Sequence, residues 1–283
     1  MTQFIKFLIY FCKVKNLELK SFFKHLFDLY IILNVHVALA ISALYLIINQ
    51  EHSFIYLIFL GSATILSYNF IRLISFSSNR MFIKKYYFLY KRPVIIFLSL
   101  IILTVSISFF MLNLSTKLSI IPLMMMTLLY NFDYKNLPKF RDNGIIKILI
   151  VGFVWTGLTV LVPNFEDLNI NIILKSLLIF LYVVMLTIGF DKRDILVDKS
   201  HLKTLPQLFP NKMFVIYLIF FGLITGLNFL IYQQPANWLN ELIIFFSTLM
   251  SYRSNTEKSF YYTAFWLEAM PMFWLILMLT INR

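Results

Sequence analysis

Long apolar runs, interrupted by short polar clusters, fill most of this chain. The runs lie near 29–48, 53–75, 93–112, 115–131, 144–162, 170–190, 213–232, 237–251 and 261–281. About 20 apolar residues in a helix cross a hydrocarbon core of about 30 Å, so the pattern predicts an all-α, polytopic membrane bundle of about nine transmembrane helices. The fourth and eighth runs are the short ones. Two of the breaks are marked by proline, at Pro93 after Lys91 and Arg92, and at Pro163 in the acidic stretch PNFEDLN. Residues 1–28 read as an N-terminal amphipathic segment lying in the membrane interface, and 29–283 as a single transmembrane domain.

Composition strengthens that picture. The 283 residues are 60% apolar and 13% charged, against roughly 45–50% and about 25% in a soluble domain. The single cysteine, Cys12, excludes an internal disulfide framework and a Cys-rich metal site. The opening residues lack the basic start and small-residue cleavage site of a secretory signal.

Charge gives the orientation. With nine spans, all but three of the 25 Lys and Arg fall on one side; the other side keeps Lys117, Lys175 and Arg283. The positive-inside rule then predicts a multi-pass protein of the cytoplasmic membrane, with its N-terminus cytoplasmic and its C-terminus outside. The net charge of +12 reports topology and contact with anionic membrane lipids rather than nucleic acid. The longer connections share the basic side, which is where a site is expected.

The most concentrated polar chemistry follows the sixth run, in FDKRDILVDKSHLKTLP. Asp191, Asp194 and Asp198 stand at i, i+3 and i+7, which on one continuous helix falls within roughly 60° of a single face. Carboxylates so placed repel unless a divalent cation lies between them, and carboxylate oxygens suit Mg²⁺. Lys192, Arg193, Lys199 and Lys203 alternate with them as candidate anion contacts. The competing reading is a solvated helix end with local salt bridges.

DxxDxxxD followed by KTLP, at the end of the sixth of nine spans, resembles the second aspartate-rich motif of the UbiA superfamily of intramembrane prenyltransferases. The stretch YNFDYKNLPKFRDNGIIKILIVGFVW at 130–155 is similar to the family's segment after its fourth span. The final run, YYTAFWLEAMPMFWLIL, is similar to the family's last helix, with Glu268 as its acid. The resemblance implies a lipid-accessible central cavity in the bundle, with Mg²⁺ held at Asp191, Asp194 and Asp198 as the catalytic and metal-binding positions. An isoprenyl diphosphate donor and a lipid-soluble acceptor are the implied partners. Lys203, Arg141, Lys135 and Arg193 are the implied donor contacts.

One motif departs from the family. Where members carry a first aspartate-rich motif after the second span, this chain reads SYNFIRLISFSS. Aligning Asn69 with the family's Asn puts Phe70, Leu73 and Ser77 at the aspartate positions, and no carboxylate lies between Glu51 and Asp133. Arg72, with Arg80, Lys84 and Lys85, is then the substitute for neutralising a diphosphate, since a guanidinium binds phosphate directly; the alternative is an arginine reaching to headgroups. Glu268 is a functional candidate because acids within spans are rare, His36 reads as a packed polar residue, and His201 is a further phosphate candidate. Three function classes follow: a prenyltransferase, a family member that binds an isoprenoid or lipid without transfer, and, with least support, a transporter.

Overall fold

The structure, a computed structural model, describes residues 23–49, 51–74, 91–131, 140–196, 202–232 and 238–281. Within them there is no strand. The helices are α1 (Phe23–Ile32), α2 (Val35–Ile48), α3 (Phe54–Ile74), α4 (Lys91–Met111) and α5 (Leu114–Asn131). Then come α6 (Gly144–Thr156), prolonged by a π-helical turn Gly157–Leu161, α7 (Ile170–Asp194) and the one-turn α8 (Leu205–Leu208). The chain closes with α9 (Met213–Tyr232), α10 (Trp238–Arg253), a π-helical stretch Tyr262–Leu267 and α11 (Met270–Ile281).

Every apolar run coincides with a helical element. Among the described residues, six segments are long and apolar enough to cross a membrane, and α1 with α2 adds a seventh if the bent pair is one span. The environment these helices need is plain from α4. Its most apolar 18-residue stretch has a mean hydropathy of 2.8, yet only 11% of that stretch is buried inside the fold. Water would not tolerate that outer surface; lipid does.

Helix α7 is the hub, packed against α6, α9 and α10, while α2 joins α3 to α11. Close approach at α7 depends on a missing side chain. A Cβ on Gly189 would lie 2.5 Å from Ser251 Oγ and 2.8 Å from Leu267 Cδ2. Across that contact, Ser251 donates to the Met185 carbonyl at 2.8 Å and Ser254 to the Gly189 carbonyl at 2.6 Å, the small-residue and hydroxyl packing expected between helices in lipid.

The first predicted span is not continuous. The chain bends by 60° between α1 and α2, where Asn34 adopts the left-handed region (φ 59°), a conformation asparagine tolerates better than most residues. The break frees carbonyls at the end of α1, and helix α3 satisfies them. Asn69 donates to the Leu33 carbonyl at 2.8 Å, and Arg72 donates to the Ile32 carbonyl. Residues 23–28, read from sequence as interfacial, form the first turns of α1, and Asp28 is buried against Tyr261, whose hydroxyl donates to it.

The last helix is broken too. Pro271 has no N–H to continue the ladder, and the preceding backbone widens into the π-helical stretch, with Glu268 N–H donating to the Thr263 carbonyl at 3.2 Å. This places Glu268 at a discontinuity, on the inner wall of the bundle.

Candidate functional site

The breaks at Asn34 and Pro271 face a common cavity of about 210 Å³. Its polar lining consists of Asn34 from the α1–α2 bend, Tyr68 and Arg72 from α3, Thr187 and Arg193 from α7, and Glu268 before α11. Two guanidiniums and a carboxyl thus converge from three separate elements. Glu268 lies within electrostatic reach of both Arg193 and Arg72.

Each arginine is fixed by its neighbours. Arg193 sits between two rings, 5.3 Å from the Phe190 centroid and 5.4 Å from that of Phe260, an arrangement favoured by the ring quadrupole. Its Nε and Nη2 grip the Asp194 carboxylate at 2.8 Å each, and Nη1 donates to Thr263 Oγ1 at 2.6 Å. Arg72, besides closing the end of α1, donates from Nη2 to Asn34 Oδ1 at 2.9 Å. That bond orients the Asn34 amide. Its Nδ2 is left buried and, among the described residues, without a hydrogen-bond partner, although Asn34 is only 1% exposed. A buried amide donor in that condition costs about 1–3 kcal/mol.

A second, larger cavity of about 520 Å³ adjoins the first between α3, α5 and α6. Its walls are almost wholly apolar, with Phe59, Ile120, Leu123 and Leu158 among them. Phe70, Ile102, Met124 and Leu128 form its rim and are 40–54% exposed, so it opens onto the apolar outer surface. Tyr68, Val151 and Trp155 line both cavities. Trp155 Nε1 donates to the Tyr68 hydroxyl at 3.0 Å, making an aromatic partition between a cationic chamber and an apolar one.

The acidic motif is arranged differently from the single helical face expected for it. Helix α7 ends at Asp194, with Ile195 and Leu196 in a turn, so the spacing from Asp191 to Asp198 does not stay on one helix. Asp191 is 1% exposed and ion-paired to Lys147 of α6, while Asp194 is held by Arg193. Lys192 turns away from the cavity, donating to the Tyr252 carbonyl with its ammonium 4.7 Å from the Tyr252 ring centroid. Asp198, His201 and Lys135 lie outside the described residues.

The remaining candidates scatter. Arg141 sits in a 3-10 turn, Phe140–Asp142, and lines neither cavity. Lys203 is exposed, with a left-handed φ of 50°, beside the close approach of 202–204 to α6. There a Cβ on Gly144 would lie 2.5 Å from Thr204 Cα. Asn69 is consumed by the Leu33 and Ile65 carbonyls at 2.8 and 2.7 Å. Among the described residues, Arg72 and Arg193 are the predicted donor contacts that meet in the cavity.

Among the described residues no three His, Cys, Asp or Glu side chains gather as a cation site. Asp191 and Asp194 point their charge into ion pairs with Lys147 and Arg193 rather than toward the cavity. In this arrangement they do not form a metal cradle.

Sequence reasoning missed Asn34, Tyr68, Trp155 and Thr263. A lone Asn in the apolar run IILNVHVALA was the available signal for the helix break; nothing local marked the other three. His36 is buried and saturated, with Nδ1 2.6 Å from the Tyr30 hydroxyl and Nε2 2.8 Å from the Phe265 carbonyl. The carbonyl requires a proton on Nε2, so Nδ1 is the acceptor.

Fold and site together define a multi-pass α-helical membrane protein with a basic internal chamber opening beside an apolar groove. No family model, curated protein or solved structure matches the chain.

Proposed function

We propose that the protein is an intramembrane prenyltransferase of the UbiA type, which transfers an isoprenyl group from an isoprenyl diphosphate to a lipid-soluble acceptor. The observation that carries this reading is the shared wall: a chamber containing Arg72 and Arg193 meets an apolar groove at Tyr68 and Trp155. An amphiphile with a phosphorylated head and a hydrocarbon tail matches that division. The diphosphate belongs between the guanidiniums, and the tail in the groove that opens toward lipid.

In this reading the donor's C1–O bond breaks at the partition, and the electron pair leaves with the diphosphate. Guanidiniums aimed at the departing oxygens stabilise the charge that develops there. The allylic cation forms beside the Tyr68 and Trp155 rings, whose faces attract positive charge, in a space that excludes water. The acceptor attacks C1, and Glu268 takes the proton it loses. Coordination of Mg²⁺ at Asp191, Asp194 and Asp198 would first require Asp191 to leave Lys147 and Asp194 to leave Arg193, so no step is routed through it.

Those same ion pairs favour a second reading, retention of the phosphorylated isoprenoid without transfer. Purified protein in detergent, given a panel of isoprenyl diphosphates and candidate aromatic acceptors, separates the two. Pyrophosphate release with a prenylated product supports transfer; tight binding without either supports retention. Nine spans with a cytoplasmic N-terminus belong to the same proposal, supported by the gathering of Lys147, Lys192 and Arg193 around the end of α7, where α6 and α10 meet it, with Arg72 sharing the Arg193 cavity. Lys175 lies at the other end, donating to the Ile48 carbonyl at 3.3 Å.

A further inference from the structure

We infer that the chamber recognises its phosphate group directly, through the guanidiniums of Arg72 and Arg193 and the amide of Asn34, so that headgroup binding needs no divalent cation. The inference rests on the reading that a phosphorylated isoprenoid occupies this chamber.

Three observations carry it. The first is the donor set. Arg72, Arg193 and Asn34 reach the cavity from α3, α7 and the α1–α2 bend, and donors converging from separate elements surround an anion instead of meeting one side of it. Among the described residues, Arg193 spends its Nε, one Nη1–H and one Nη2–H on Asp194 and Thr263. An N–H on each terminal nitrogen is left over.

The second is Asn34. Its oxygen is claimed by Arg72, which turns the NH₂ to the other side. That NH₂ is buried, belongs to a residue that lines the cavity, and has no hydrogen-bond partner among the described residues. Buried donors are almost always satisfied, and a phosphate oxygen supplies the acceptor this one lacks.

The third is the state of the acidic motif. Lys147 and Arg193 already neutralise Asp191 and Asp194. A metal-bridged site needs carboxylates facing the ligand; here a guanidinium faces it, with a carboxylate behind. Asp194 then acts as a positioning residue that holds the Arg193 fork open toward the chamber. Glu268, on the same wall, sets the limit of the attraction: ionised, it opposes an anion; protonated, it donates to one.

The test is calorimetric titration of the purified full chain with an unreactive thio-linked isoprenyl diphosphate analogue, once in EDTA and once in millimolar Mg²⁺. The inference expects affinities within about threefold of one another. It also expects Arg193→Gln to weaken binding in EDTA by about tenfold or more, the loss of a charged hydrogen-bonding group. Arg193→Lys, which keeps the charge but not the fork, recovers part of that loss. Because Arg72 also closes helix α1, it is left in place, and the amide contribution is read from Asn34→Gly. That change keeps the left-handed backbone, removes the amide and weakens binding in EDTA severalfold.

Binding seen only with Mg²⁺ overturns the inference and leaves the prenyltransferase reading standing. Binding in EDTA that Arg193→Gln leaves untouched also overturns it. No binding in either medium, by protein that elutes as a single species, removes both.

Discussion

Trp155 donates its indole N–H to the Tyr68 hydroxyl at 3.0 Å, and the two rings together separate a basic chamber from an apolar groove. An amphiphilic donor lying across that boundary would present its reacting carbon to these rings, and the consequences can be measured.

Trp155→Phe keeps an aromatic face but removes the hydrogen bond and narrows the partition. Turnover is expected to fall roughly 3- to 30-fold, the range of a cation–π contribution of about 0.5–2 kcal/mol, while affinity for the unreactive analogue changes by less than about threefold. Steady-state rates and calorimetry on the same preparation check the split. Equal losses in both would mean that Trp155 only shapes the binding cavity.

The proposed reaction needs Glu268 ionised to accept the proton from the acceptor, and in that form it opposes the phosphate electrostatically. Glu268→Gln is therefore expected to tighten analogue binding and lower turnover. Removing one negative charge from a partly screened chamber corresponds to roughly 3- to 30-fold in affinity. A variant that binds more weakly and turns over normally would contradict both roles.

The Lys147–Asp191 pair joins α6 to α7 with the carboxylate almost fully buried. Lys147→Met alone takes this cation away from a buried carboxylate and is expected to cost about 3–5 kcal/mol. The double change Lys147→Met with Asp191→Leu is expected to recover much of the loss, because no buried charge remains. Thermal unfolding in detergent, arranged as a double-mutant cycle, measures the coupling. Additive losses would show that the two side chains do not depend on one another.

At the α7–α10 contact, Gly189→Ala pushes a methyl group into Ser251 and Leu267, at 2.5 and 2.8 Å before any shift. A loss of about 1–3 kcal/mol is expected, as for other overpacked sites. Ser251→Ala in the same background relieves the nearest clash, so partial recovery of the unfolding temperature distinguishes overpacking from a backbone effect.

The helices were legible in the sequence because lipid imposes a long, continuous apolar requirement on each, which local composition records. The bend at Asn34 left one mark, a polar residue in an apolar run, which reads equally well as a buried side chain. Pro271 signalled the break before α11, but the widening that turns Glu268 inward depends on neighbouring helices. The acidic motif departs from the single helical face expected of it. Its spacing assumes a helix running to Asp198, whereas α7 stops at Asp194, and Lys147, 44 residues earlier, captures Asp191. Arg72 was legible as a charge where aspartates were expected; that it also closes the end of α1 follows only from the fold.

The most direct measurement is pyrophosphate release by the purified wild-type protein and by Arg193→Gln, supplied with isoprenyl diphosphates and an aromatic acceptor panel. Release by the wild type, coupled to a prenylated product and reduced at least about tenfold in the variant, is the expected result. A folded wild-type protein that releases no pyrophosphate and binds none of the donors would contradict the account.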